Sequence, residues 1–327
     1  MPAVAIFIAF RCWQALVTLF CVSLVIFIAL RLLPGGFAEI ILGPLSSPEA
    51  KRFVADQYGL EASPITQYFD WILHLLRGDL GISLATKGSI ATELVRRAPV
   101  TAELAILATL ISLAIGLPLG VACGTRDSGV SVRLFGRIIG AIGAGTPEFV
   151  LGSAMLYLLS GWSLGFSERG FVSLFEAPGE NLKALIVPAA TLSVFGTALI
   201  LRTTRDAVQR VLSENHILAA VARGSGAMHI IRLHVLRNAA IPVLTVTSTF
   251  LGYLLGGAVI VEVLFSIPGV GLYTYNALNN RDYGVVQAGV MISAVVFILI
   301  NAAVDMLYAF LDPRVAGSGR STRRRRS

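Results

Sequence analysis

The stretch "HIIRLHVLRNAAIP", residues 229–242, places His229, Arg232, His234 and Arg237 immediately before a long apolar run. The residues on either side show what surrounds it. On the C-terminal side, residues 239–265 are apolar enough to cross a bilayer. On the N-terminal side, "LAAVARGSG" leads back to another apolar segment that ends at Leu201. A basic helix between two membrane-like segments belongs at a membrane boundary.

Composition agrees. The chain has 327 residues, of which 55% are hydrophobic and 14% charged, and its mean hydropathy is +0.77. Soluble domains carry about 25% charged residues. The formal charge of +7 comes from short Lys and Arg patches between apolar runs, with no aromatic-interleaved basic groove. Membrane lipid explains that pattern and nucleic acid does not. Cys12, Cys21 and Cys123 lie in or beside apolar runs, without metal spacing or a disulfide framework.

A helix needs about 20 apolar residues to span the hydrocarbon core. The stretches 12–33, 100–123, 134–160, 184–201, 239–265 and 285–311 meet that need. We therefore expect an all-α integral membrane protein with six transmembrane helices. Residues 1–33 form the N-terminus and first span, retained because its apolar run is too long for a signal-peptide core. Residues 34–98 form an extracytoplasmic helical loop, 99–311 a five-helix core that includes a cytoplasmic loop at 202–238, and 312–327 a basic tail. Arg126, Arg133, Arg202, Arg205, Arg210, Arg223, Arg232, Arg237, Arg314, Arg320 and Arg323 to Arg326 place one side and both termini in the cytoplasm. In the outer loop, "SSPEAKRFVADQYG" and "SPITQYFDWILHLLRGD" each open with Ser-Pro, a helix-start signal. The second places Ile65, Tyr68, Phe69, Ile72, Leu73 and Leu76 on one face, suited to the membrane surface or to capping the bundle.

Residues 202–238 read as helix, turn, helix. Gly224 and Gly226 allow the turn, and Met228, Ile231 and Val235 then recur at helical spacing. Such a basic amphipathic helix suits docking on a partner protein or lying on anionic lipid, and physics alone does not choose.

The residues also carry a resemblance. "LAAVARG", then nine residues, then "HVLRN" resembles the EAA loop of ABC-importer permeases, the binding-protein-dependent transport inner-membrane components. Ala219, Ala220, Gly224 and Leu236 match in register. Leu218 stands in place of the usual Glu and Arg237 in place of the usual Pro. "RLLPGG", "RGDLGISL", "IGLPLG", "GTPEFVLG", "LLGGAVIVEVLFSIPGVG", "NRDYGVVQ" and "DMLYAFLDPR" are similar to the first permease subunit of the dipeptide/oligopeptide branch, in its order. The resemblance implies a subunit of the bacterial inner membrane that translocates di- or oligopeptides. Its implied partners are a second homologous permease, two ATPase subunits and an extracytoplasmic solute-binding protein. It also implies an ATPase-coupling set of Ala219, Ala220, Arg223, Gly224, His234, Leu236, Arg237 and Asn238. ATP and Mg would then sit on the partner subunits, with no cofactor on this chain. The sequence agrees, since Lys51, Lys87 and Lys183 lie outside any Gly-Lys-Ser/Thr motif, leaving no Walker A loop.

Other signals weigh less. "GWSLG", residues 161–165, matches a nucleophile-elbow pattern around Ser163, but a span rather than a strand precedes it. His229 and His234 are five apart, off the spacing of helical metal ligands. Gly252 and Gly256 form a G-x-x-x-G packing motif. Glu148, Glu262 and Asp305 lie in or near spans, as candidates for the translocation pathway or, alternatively, for a proton-coupled secondary transporter.

Overall fold

A computed structural model of the chain describes residues 2–32, 47, 49, 62–125, 128–160 and 171–311. The expected helix near Ser47, the "GWSLG" segment with Ser163, and the Arg-rich tail lie largely or wholly outside the described residues. The described residues are helical apart from turns and one isolated bridge, Ile82 with Ser89. In order they form α1 (Pro2–Arg31), α2 (Pro64–Leu76), α3 (Ile90–Gly124), α4 (Val130–Gly145), α5 (Glu148–Ser160) and α6 (Pro178–Leu212). Then come α7 (Asn215–Ala222), α8 (Ala227–Ile230), a π-helical turn (Ile231–Val235), α9 (Leu236–Gly257), α10 (Val259–Leu264), α11 (Val270–Asn279) and α12 (Tyr283–Leu311). Five helices are long and apolar enough to cross a membrane, and six segments are if the bent pair α4 and α5 counts as one span.

That pair departs from the sequence reading. Residues 134–160 are not one helix, because α4 and α5 meet at 106°. Thr146 is extended, at φ −104° and ψ 121°, ahead of Pro147. A residue before proline is pushed out of the α region, and Gly145 adds a weak helix former at the same point. The fifth span also ends earlier than expected, at Gly257, and Ala258 turns the chain into α10. Pro99, Pro118, Pro188 and Pro242 all sit inside unbroken helices.

The centre is the α3–α6 pair. Gly116, Gly120 and Gly124, four residues apart, bring the two backbones together. A Cβ at Gly116 would lie 2.9 Å from the Thr197 carbonyl oxygen, and one at Gly120 would lie 2.8 Å from that of Leu201. The contacts advance together along both chains, so α3 and α6 run parallel. Leu104, Ala108, Leu185, Leu192, Phe250 and Leu254 form the largest apolar cluster, which joins α9 to this pair. A second cluster, with Leu30, Ile90, Leu94, Tyr273 and Val285, ties α1, α11 and α12 to the start of α3.

The helix expected in "SPITQYFDWILHLLRGD" is α2. The Ser63 hydroxyl accepts from the Thr66 N–H and Pro64 opens the helix. Its packing face is narrower than the sequence suggests. Tyr68 is buried against Phe27, and its hydroxyl pairs with Ser23 at 2.8 Å, whereas Ile65, Phe69, Leu73 and Leu76 stay exposed.

Candidate functional site: coupling loop and buried carboxylates

The loop expected to couple, within residues 202–238, is built on the end of α6. Beyond that end, α7 closes on a Schellman motif in which the Ser225 N–H donates to the Ala220 carbonyl at 3.1 Å and Gly224 adopts φ +83°. Only glycine takes that conformation without strain. Val208 and Val211 of α6 pack with Ile217, Ile230 and Val235 in a separate apolar cluster. The loop is thereby clamped to α6 on one side and is continuous with α9 on the other.

The π turn changes which residues face that cluster. An α-helical period puts Met228, Ile231 and Val235 on one face. The Met228 side chain lies outside the described residues; Ile231 is half-buried, and Ile230 and Val235, five residues apart, are buried beside the wider turn in which the Leu236 N–H bonds to the Ile231 carbonyl. Of the expected coupling residues, Ala220 is buried, and Ala219, Arg223, Gly224, Leu236, Arg237 and Asn238 are exposed. The side chains of Leu218 and His234 lie outside the described residues. His216 pairs with Glu214 at 3.0 Å. Among the described residues, no group of three metal-binding side chains comes together.

The three carboxylates expected in or near the spans occupy different settings. Glu262 is fully buried, one turn before the 265–269 bend. Its Oε1 accepts from the Thr101 hydroxyl at 2.7 Å, and its Oε2 from the Leu272 N–H at 2.9 Å. Thr101 Oγ1 also accepts the Val270 N–H at 2.9 Å. Together these groups satisfy the free N–H groups at the start of α11, where a carboxylate is also favoured by the helix dipole. Gly269 is required beside it, since a Cβ there would overlap the carboxylate. Glu148 sits at the start of α5, half-buried, and accepts from the Tyr253 hydroxyl at 3.4 Å. Both border an open cavity of about 440 Å³. Asp305 is in α12, and its side chain lies outside the described residues.

Asp282, within "NRDYGVVQ", is buried and lies outside the set of carboxylates expected from the sequence. Its Oδ2 accepts from the Ser83 hydroxyl at 2.6 Å and the Ala85 N–H at 3.2 Å, tying the 79–89 segment to the start of α12. Burial, followed by the negative charge of Asp282, raises the pKa of the neighbouring Tyr273 phenol. Within the G-x-x-x-G motif, Gly252 lies against Phe297 of α12, whereas Gly256 meets no side chain.

Comparisons with known proteins complete this picture. Residues 116–317 match the family model described as binding-protein-dependent transport system inner membrane component, and residues 4–105 match the N-terminal model of the same system. The chain is 34% identical to the dipeptide transport system permease protein DppB of Alkalihalophilus pseudofirmus, covering 90% of this chain and 94% of that protein. It is 32% identical to a probable peptide ABC transporter permease protein, y4tP, of Sinorhizobium fredii, with the same coverages. It is also 32% identical to the glutathione transport system permease protein GsiC of Salmonella typhimurium, covering 91% and 94%. An inward-facing structure of the MetNI methionine ABC transporter shares the fold, at TM-score 0.52 and 20% identity over 67% of this chain and 96% of that one. The helical membrane core, the two family models and these relatives place the chain in the family of binding-protein-dependent transport system inner membrane components.

Proposed function

We propose that this permease translocates di- or oligopeptides across a bacterial inner membrane, driven by ATP that partner subunits hydrolyse. The names of its relatives support the substrate class, two of them being peptide permeases and one a glutathione permease. A second homologous permease completes the pathway, two ATPase subunits dock beneath, and an extracytoplasmic solute-binding protein delivers the peptide. Family membership leaves the proton-coupled alternative without support.

The observation that carries the coupling role is the clamped loop. An exposed surface containing Ala219, Arg223, Gly224, Leu236, Arg237 and Asn238 is held between α6 and α9 by the Ile217–Ile230–Val235 cluster. A push on that surface by an ATPase moves both membrane helices as a unit, because a packed element transmits rigid-body motion. Affinity purification of the tagged chain from its own host tests the reading. We expect ATPase subunits and a second permease in the eluate, and peptide-dependent ATP hydrolysis after reconstitution with the binding protein. A chain that purifies without any ATPase under mild detergent would overturn the assignment.

A further inference from the structure

The break between α4 and α5 has a consequence for selectivity. Gly143 packs on Val194 and Ala198, while Gly152 lies beside Thr191. The break between them is therefore level with the middle of α6, and Phe195 is the central residue of that helix. Phe195 also lies near the middle of the apolar stretch 184–201, the part of α6 expected to cross the membrane, which puts the break near the middle of the bilayer. The last carbonyls of α4 and the first N–H groups of α5 have no intrahelical partners there. Irregular backbone at this depth is tolerated only against protein or a water-filled cavity. A half-buried carboxylate at the same place obeys the same restriction.

The cavity at this point, about 440 Å³, has a floor of small residues, Gly143 to Thr146, and walls formed by Phe149, Phe195, Tyr253 and Ile260. Glu148 is its one ionisable group besides the Tyr253 phenol, and among the described residues no Lys or Arg lines it. Its single hydrogen bond given by the structure, from Tyr253, is long at 3.4 Å, so the carboxylate retains acceptor capacity. Tyr253 stands beside Phe195, with ring centroids 6.2 Å apart. A carboxylate bordered by aromatic faces suits an organic cation, through charge-assisted hydrogen bonding and cation–π attraction.

We propose that this cavity is an ammonium-recognition station on the pathway, where Glu148, oriented by Tyr253, receives the cationic amine of a passing peptide. The inference rests on reading the chain as one half of a peptide pathway. It adds that the pathway itself recognises the ammonium group, independently of the binding protein.

The test uses the assembled transporter with Cys12, Cys21 and Cys123 replaced and Thr146→Cys introduced at the cavity floor. Modification rates are compared for a trimethylammonium methanethiosulfonate and its sulfonate counterpart. Each rate is divided by that of the same reagent with a small free thiol, since the thiolate itself favours the cation. We then expect the normalised ratio to favour the cationic reagent by about tenfold, the effect of one nearby charge in a medium of intermediate polarity. Glu148→Gln should remove the preference and Glu148→Asp should keep it. Trialanine should slow modification during ATP turnover, whereas N-acetyl-trialanine should not. A cysteine that reacts with neither reagent, or a rate ratio indifferent to Glu148, overturns the station. ATPase subunits retained in those same preparations would leave the permease reading standing, and their loss would overturn both.

Discussion

At Gly224 the backbone holds φ +83°, and a Cβ would meet open space. A substitution there acts through backbone strain alone, on the order of 1–3 kcal/mol for a β-branched residue. Gly224→Val should leave membrane levels normal, because the spans are untouched, yet weaken retention of the ATPase subunits and lower peptide-stimulated ATP hydrolysis. Normal retention by the variant would remove the turn from the coupling element. The opposite mechanism operates at Gly269, where backbone freedom is not the issue. There Gly269→Ala should push the Glu262 carboxylate off Thr101 and Leu272, costing about 1–3 kcal/mol for buried polar groups left unpaired. A lowered unfolding temperature of the detergent-purified chain would show it, and an unchanged one would refute the cap. The difference between these glycines was only half legible in the sequence. "RGSG" between two helical patterns announces a turn, whereas the need for Gly269 arises from Glu262, whose own partner Thr101 is 161 residues away. No local pattern distinguishes a carboxylate that caps a helix from one that faces a pathway.

Periodicity carried most of the information about elements, and it failed where hydrogen bonding left the α-helical pattern. The six apolar stretches correspond to five membrane-long helices and one bent pair. Two errors show it. The π turn moved the buried face of the loop to Ile230 and Val235, and the extended Thr146 split the third span; the second was legible in Gly145-Thr146-Pro147, which the apolar count passed over, whereas no residue pattern announces the first. Helix packing makes a sharper prediction. Gly120→Ala introduces a Cβ 2.8 Å from the Leu201 carbonyl oxygen and against Thr204, so α3 and α6 must separate. Overpacking of this kind costs about 1–3 kcal/mol and outweighs the roughly 1 kcal/mol gained by replacing glycine in a helix. Gly140→Ala, in α4, meets nothing within 4 Å and should gain that helix term without opposition. Thermal unfolding of the two purified variants should therefore shift in opposite directions. A shift of the same sign in both would mean that the α3–α6 contact is not the tight seam described.

For the molecule as a whole, the parallel run of α3 and α6 constrains the path of the chain. Two parallel spans require the intervening residues to cross the membrane once more, and the bent α4–α5 pair is the described segment able to do so. With α1, α9 and α12 this makes six crossings, an even number, which returns the C-terminal end to the side of the N-terminal end. The distribution of Arg then selects the side. Arg126, Arg133, Arg202, Arg205, Arg210, Arg223, Arg232 and Arg237 belong to the side of the end of α6, against Arg77, Lys87, Arg96, Arg97 and Arg281 on the side of the start of α3. Arg97 and Arg96 are themselves held by Glu93, at 3.0 and 2.9 Å, which weakens them as cytoplasmic determinants. We therefore expect Ala85 to face outward and Ser213 to face the cytoplasm; both are exposed. In a background lacking the native cysteines, Ala85→Cys should react with an impermeant maleimide in spheroplasts. Ser213→Cys should react only after the membrane is permeabilised. The Ala85 side chain makes no hydrogen bond that the substitution would remove, since Asp282 reads only its backbone N–H. The reverse labelling pattern would put the clamped loop on the outer surface, out of reach of any cytoplasmic ATPase, and would sink the coupling role together with the topology.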